Sequence, residues 1–181
     1  MTDSSLLPDV ITQWFAARGW QVRDHQHAML KADASGRDAL LVSATGSGKT
    51  LAGFLPSLAA LCTHKPDGLH TLYISPLKAL TNDIERNLAA PVAEMGLPIS
   101  VEVRTGDTSA AVKARQRSKP PHILLTTPES LSLMLSHPDA EYMLGGLQRV
   151  IIDEVHAFAH NKRGDLLALS LARLARIAPG H

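Results

Sequence analysis

The sequence predicts an α/β fold, a mostly parallel sheet with helices on both faces, and two observations predict it. Short runs rich in aliphatic and β-branched residues alternate with longer runs of helical period, the order that a parallel sheet with crossover helices requires. Leu72-Tyr73-Ile74, Ile123-Leu124-Leu125 and Val150-Ile151-Ile152 are apolar at consecutive rather than alternate positions, as strands buried on both faces are. In chain order, helices are expected over 9–18, closed by Gly19, and 24–34, closed by Gly36. Strands are expected at 39–42, 71–75, 100–104, 122–126 and 149–152, with helices at 50–62, 77–94, 108–118, 129–135 and 163–177. No repeat, low-complexity tract or linker breaks this pattern, and 181 residues correspond to about one domain.

Composition excludes several classes. Lys plus Arg number 18 against 17 Asp plus Glu, a net charge of +1, so any surface for a polyanion has to be local. A single cysteine, Cys62, rules out an internal disulfide framework, and residues 1–8 have no basic segment followed by an apolar one. Both features fit a reducing cytoplasm. The longest apolar run, 51–62, is interrupted by Pro56 and Ser57 and is shorter than the ~20 residues of a membrane span, so no membrane partner is expected.

Two stretches carry chemistry. Ala44-Thr45-Gly46-Ser47-Gly48-Lys49-Thr50 lies between a strand and a helix and reads as a phosphate-binding loop rather than a plain Gly/Ser turn. Glycines let the main chain approach phosphates closely, and a helix N-terminus points N–H groups and partial positive charge at them. Lys49 then reaches the β and γ oxygens of a nucleoside triphosphate, and Thr50 offers its hydroxyl to Mg²⁺. Ser43 stands where the common pattern has its first glycine. The second stretch, Val150-Ile151-Ile152-Asp153-Glu154-Val155-His156, ends a buried strand on two carboxylates, at the edge where open α/β sheets gather their ligands. Asp153 would hold Mg²⁺, directly or through water, and Glu154 would orient and polarise an attacking water.

Together these stretches resemble motifs I and II of superfamily 2 helicases of the DExH-box kind, and the resemblance covers nearly the whole chain. Ser75-Pro76-Leu77-Lys78-Ala79-Leu80 is similar to motif Ia, and Thr126-Thr127-Pro128-Glu129-Ser130-Leu131 to motif Ib, which contact the nucleic-acid backbone in that superfamily. Each lies where a strand gives way to a helix, a place suited to phosphates. Taken singly, each also reads as a Pro-initiated helix with a Ser or Thr cap. The fold implied is a RecA-like P-loop NTPase domain, with ATP and Mg²⁺ as cofactors.

A finer resemblance, to the large helicase-related (Lhr) family and its ligase-associated DEXH-box DNA helicases, rests on three stretches: residues 14–20 (Trp-Phe-Ala-Ala-Arg-Gly-Trp), 104–108 (Arg-Thr-Gly-Asp-Thr) and 162–169. It implies an ATP-driven 3′ to 5′ translocase on single-stranded DNA, linked with a DNA ligase and a nuclease in repair. It also implies that Arg23 and Gln26 form the adenine-reading element, since an amide pairs with both N6–H and N7 of adenine; alternatively, Gln26 is an ordinary helix-surface residue. Pro76, Lys78, Arg104, Thr127 and Arg163, with Lys162, are the expected DNA contacts, whereas Lys113, Arg115, Arg117 and Lys119 read as a solvated helix face.

His156 and His160 stand four apart, but Ala157 follows the first, where a metalloprotease would need Glu, so His156 resembles the last position of motif II instead. By the same resemblance, residues 1–36 are N-terminal helices with the adenine-reading element and 37–181 a first RecA-like domain truncated before the motif III strand. That resemblance also implies that the second RecA-like domain, with its arginine fingers, is expected outside this sequence. The strands at 39–42 and 149–152 are expected in one parallel sheet. Two rival functions stay open: the motor of a restriction or remodelling enzyme, and a stand-alone nucleotide-binding module.

Overall fold

A computed structural model describes residues 6–44, 46–64 and 67–179. Its elements are α1 (Asp9–Ala17), α2 (Asp24–Ala34), α3 (Lys49–Thr63), β1 (Thr71–Ile74), α4 (Lys78–Glu94), β2 (Val101–Arg104), α5 (Ala110–Ser118), β3 (Ile123–Thr126), α6 (Pro128–Leu135), α7 (Ala140–Leu144), β4 (Arg149–Ile152) and α8 (Lys162–Ile177), with a 3-10 turn at Val155–Phe158. They fall into two compact units, Met1–Lys65 with Ala90–Pro98, and Pro66–Ala89 with Ile99–His181.

In the first unit α2 packs along α3, and Ile11, Leu30, Phe54, Leu55 and Leu58 are buried. The last turn of α4 is tied to α1 by side chains: Trp14 Nε1 donates to Glu94 Oε2 (2.7 Å), and Arg18 pairs with the same carboxylate. Those hydrogen bonds, Arg18 first, hold the Glu94 carboxyl below its usual range. The Arg18 guanidinium also lies 4.8 Å from the Trp14 ring centroid and 5.2 Å from that of Trp20.

The second unit is built on a four-stranded sheet of order β2-β3-β1-β4, parallel throughout. The registers Arg104↔Thr126, Ile74↔Thr126 and Ile74↔Ile152 align all four C-terminal ends in one row. Leu72, Ile74 and Leu124 face a core shared with Leu131, Met134 and Leu135 of α6, Leu144 of α7, and Leu167 and Leu174 of α8. Local chemistry starts the helices. Ser109 Oγ accepts from the Val112 N–H, Pro128 takes the first turn of α6, and Asn161 Oδ1 accepts from the N–H groups of Arg163 and Gly164. Gly164 is obligatory, because a Cβ there would collide with the Phe158 carbonyl.

Leu124 is fully buried at the centre of this core. Leu124→Ala should therefore destabilise the domain by about 2–5 kcal/mol, seen as a lower denaturant midpoint. An unchanged midpoint would mean that this core does not hold the domain together.

Two expectations need correction. Residues 39–42 form no strand: the segment 37–44 has neither helix nor strand, and Leu40 and Val42 are 76% and 85% exposed. It is therefore not in a sheet with β4, whose partner is β1. An apolar run becomes a strand only where a neighbour completes its hydrogen-bond ladder, and this segment belongs to none. β4, read as buried on both faces, is only half-buried along its length, because it is the edge of the sheet. The sequence pattern does not show α7 or the 3-10 turn, while α3 runs through Pro56 as the helix expected at 50–62 requires.

Candidate nucleotide and nucleic-acid site

The loop of the first unit is shaped by two glycines that no side chain replaces cheaply. Gly46 and Gly48 have φ of 76° and 82°, in the left-handed region that L-residues avoid. Gly48 is the N-cap of α3, so the helix begins at Lys49 and its first N–H groups lack helical acceptors. The first turn carries no acidic residue, which leaves the positive end of the helix dipole unopposed. Lys49 Nζ donates to the Ser43 carbonyl (2.7 Å), and the Ser43 and Ser47 hydroxyls bond to each other. Thr50 is exposed, and Thr45 lies outside the described residues.

Arg23 and Gln26 buttress the loop. Arg23 Nη1 donates to the Ser47 carbonyl (2.5 Å), and Gln26 Oε1 accepts from the Arg23 N–H (2.9 Å), closing the first turn of α2. Gln26 is 3% exposed rather than on an open helix surface, and its Nε2 lies 3.4 Å from where a Cβ on Gly48 would stand. A main chain stripped of Cβ atoms at a helix start, with a lysine and a free-standing hydroxyl, fits a phosphate chain and its hard cation.

In the second unit the carboxylates stand where β4 ends. Asp153 extends the ladder, its N–H donating to the Ile74 carbonyl (2.9 Å). Its Oδ1 accepts from the Glu154 N–H (3.0 Å) and its Oδ2 from the Tyr73 hydroxyl. Burial, with the Asp153 carboxylate second, pushes the Tyr73 phenol well above its usual range, so it stays a donor at any working pH. Glu154 is left-handed, with φ 47°, a conformation costing on the order of 1–3 kcal/mol that clusters at functional sites. Its Oε2 lies 3.3 Å from His156 Nδ1. His160 falls beyond the 3-10 turn with φ 57°, so the two histidines do not share a helix face.

Of the expected nucleic-acid residues, Arg104 is the last residue of β2, Thr127 follows β3 by one residue and Pro76 follows β1 by two, at the same row of strand ends that Asp153 follows on β4. Lys78 Nζ pairs with Asp107 Oδ1 (2.8 Å), and Lys113 Nζ donates to the Gly106 carbonyl (3.0 Å), so both hold the loop after β2. Arg104 is 7% exposed and donates to the Lys113 carbonyl (3.0 Å); burial, then Arg117, lowers its pKa. Thr127 is buried at the start of α6. Arg163 grips Glu129 with two bonds, Nε to Oε1 (2.6 Å) and Nη2 to Oε2 (3.2 Å), which holds that carboxyl below its usual range. On α5, Arg115 is bound by Glu102 through two 2.8 Å bonds, and Arg117 lies 3.8 Å from Asp139.

Sequence reasoning missed Tyr73. Only strand parity could have flagged it: Tyr73 pairs with Ile151, and Asp153 stands two residues on, just past the end of β4, where it continues the ladder on the same face.

A helix entered through left-handed glycines and a parallel sheet ending on paired carboxylates define a RecA-like P-loop NTPase domain. Residues 23–180 match the DEAD/DEAH box helicase family, and the chain belongs to it. Within that family its resemblance is to the Lhr helicases. It is 43% identical to ATP-dependent helicase Lhr-Core of Methanocaldococcus jannaschii over 96% of this chain and 22% of that protein. It is also 43% identical to the Lhr helicase/uracil glycosylase of Escherichia coli, over 94% of this chain and 12% of that one. The structure of Mycobacterium smegmatis helicase Lhr bound to ssDNA and AMP-PNP superposes with a TM-score of 0.89 at 40% identity, covering 98% of this chain and 24% of that one. The chain thus spans between about an eighth and a quarter of the length of these relatives. Among the described residues no helix is long and apolar enough to cross a membrane.

Proposed function

We propose that the chain is the ATP-binding part of an ATP-dependent DNA helicase that translocates 3′ to 5′ on single-stranded DNA in repair, in the cytoplasm, with a DNA ligase and a nuclease as partners. The observation that carries this reading is Lys49 at the first position of α3, reached through left-handed Gly46 and Gly48. Residues 1–36 supply the adenine-reading element and 37–181 a first RecA-like domain.

In this reading the loop from Thr45 to Thr50 wraps the triphosphate, Lys49 neutralises its β and γ oxygens, and Arg23 and Gln26 meet the adenine. Asp153 and Thr50 hold Mg²⁺, which supplies further charge neutralisation on the phosphates. Glu154 accepts the proton of the attacking water. Pro76, Lys78, Thr127 and Arg163 contact the DNA backbone, and Arg104 holds the 105–108 loop against it. The Asp107 and Glu129 carboxylates now paired with Lys78 and Arg163 would give way to DNA phosphates.

The test is to titrate AMP-PNP with and without a single-stranded oligonucleotide. A helicase ATP site should bind nucleotide at least about fivefold more tightly with DNA present, the lower end of ordinary coupling between sites. Equal affinity in both titrations would point to a nucleotide-binding module without a motor role.

A further inference from the structure

We propose that Tyr73 is a positioning residue for the metal-binding carboxylate, its hydroxyl fixing the Asp153 side chain in the orientation that receives Mg²⁺. This rests on Asp153 being a metal ligand, as proposed above. The geometry comes from strand parity. Leu72 and Ile74 face the core shared with α6, α7 and α8, so Tyr73 projects from the opposite face of β1. On neighbouring β4, Ile151 is the register partner of Tyr73, and Asp153, two residues on, leans from the same face. Tyr73 is 2% exposed, and its hydroxyl donates to Asp153 Oδ2 at the strand end.

With Oδ2 taking the Tyr73 hydroxyl and Oδ1 taking the Glu154 N–H, the carboxylate is held from two sides and its plane cannot rotate freely. A carboxylate oxygen has two lone-pair directions, so one hydrogen bond leaves room for a cation. Such outer partners fix ligand orientation, and losing one typically costs about 10–100-fold in metal affinity or activity. The Tyr73 contact also links strand spacing to the site, because Tyr73 sits on β1, two residues before Ser75 and three before Pro76.

The experiment uses Tyr73→Phe in the full chain, a change that keeps the ring and removes only the hydroxyl. Mn²⁺ binding in the presence of AMP-PNP, followed by electron paramagnetic resonance, should weaken about tenfold or more. AMP-PNP affinity without metal, and the melting temperature without ligand, should stay near wild type. Unchanged Mn²⁺ affinity, or an equal loss in metal-free nucleotide affinity, would overturn the proposal in favour of a packing role. Asp153→Asn runs alongside: if it leaves Mn²⁺ binding intact, Asp153 is not a ligand, the underlying reading fails, and the role of Tyr73 falls with it. Should Tyr73→Phe fail to fold, Tyr142→Phe leaves Tyr73 as the sole tyrosine of the two in the chain. Its fluorotyrosine ¹⁹F resonance should then shift when Mg²⁺ and AMP-PNP are added, and an unmoved resonance would equally overturn the proposal.

Discussion

Lys49→Ala is expected to abolish measurable nucleotide binding, a loss of about a hundredfold or more in affinity. Truncating one partner of a desolvated charge pair costs about 2–5 kcal/mol, and each 1.4 kcal/mol is about tenfold. No neighbour replaces the ammonium. Arg23, the other cation of the loop, is committed to the Ser47 carbonyl at 2.5 Å and shapes the loop from behind. The Lys49 amine instead rests on the Ser43 carbonyl, a neutral acceptor that a phosphate oxygen outcompetes on charge. Truncation should leave the fold intact, since the side chain is only half-buried and Ser43 remains tied to Ser47. The check is calorimetric titration with AMP-PNP, with the melting temperature measured in parallel. Wild-type affinity in the variant would remove the phosphate-loop reading, and with it the proposed function.

What was legible in the sequence was whatever local chemistry determines. Consecutive apolar residues marked β1 and β3, which are buried at every position. Gly19 and Gly36 marked the ends of α1 and α2, and both are left-handed. The loop from Gly46 to Thr50 and the Asp153-Glu154 pair could be placed at a helix start and a strand end because both are short contiguous signals. What was not legible depends on pairing across distance. Residues 39–42 have strand composition, yet composition supplies no ladder, and Leu40 and Val42 stay exposed. Tyr73 meets Asp153 across 80 positions through a register that no single-strand pattern encodes. The same holds for Arg163, whose partner Glu129 is 34 residues away. Gln26 was read for its amide, and its cap on the Arg23 N–H went unseen although the spacing of three was there to be read.

Glu154→Gln should separate binding from turnover in the helicase to which this domain is assigned. The amide keeps the shape and length of the side chain but is no proton acceptor at neutral pH, so a general base is lost without a change in packing. General acid–base catalysis contributes about 10²–10⁴-fold, and ATP hydrolysis should fall by that order while AMP-PNP affinity stays within about twofold. The backbone argues that this side chain has a task. Glu154 holds a left-handed φ of 47° without being glycine, and its own N–H is spent on Asp153 Oδ1 at 3.0 Å. His156, 3.3 Å from its Oε2, is placed to steady it. Glycine relieves the backbone strain but removes the carboxylate, so Glu154→Gly should raise the melting temperature while being as inactive as the glutamine variant, showing that strain is retained for function. Steady-state ATPase assays with single-stranded DNA, alongside nucleotide titration, read both quantities. If Glu154→Gln hydrolyses ATP at the wild-type rate, the base lies elsewhere and the left-handed turn is only a way of ending β4.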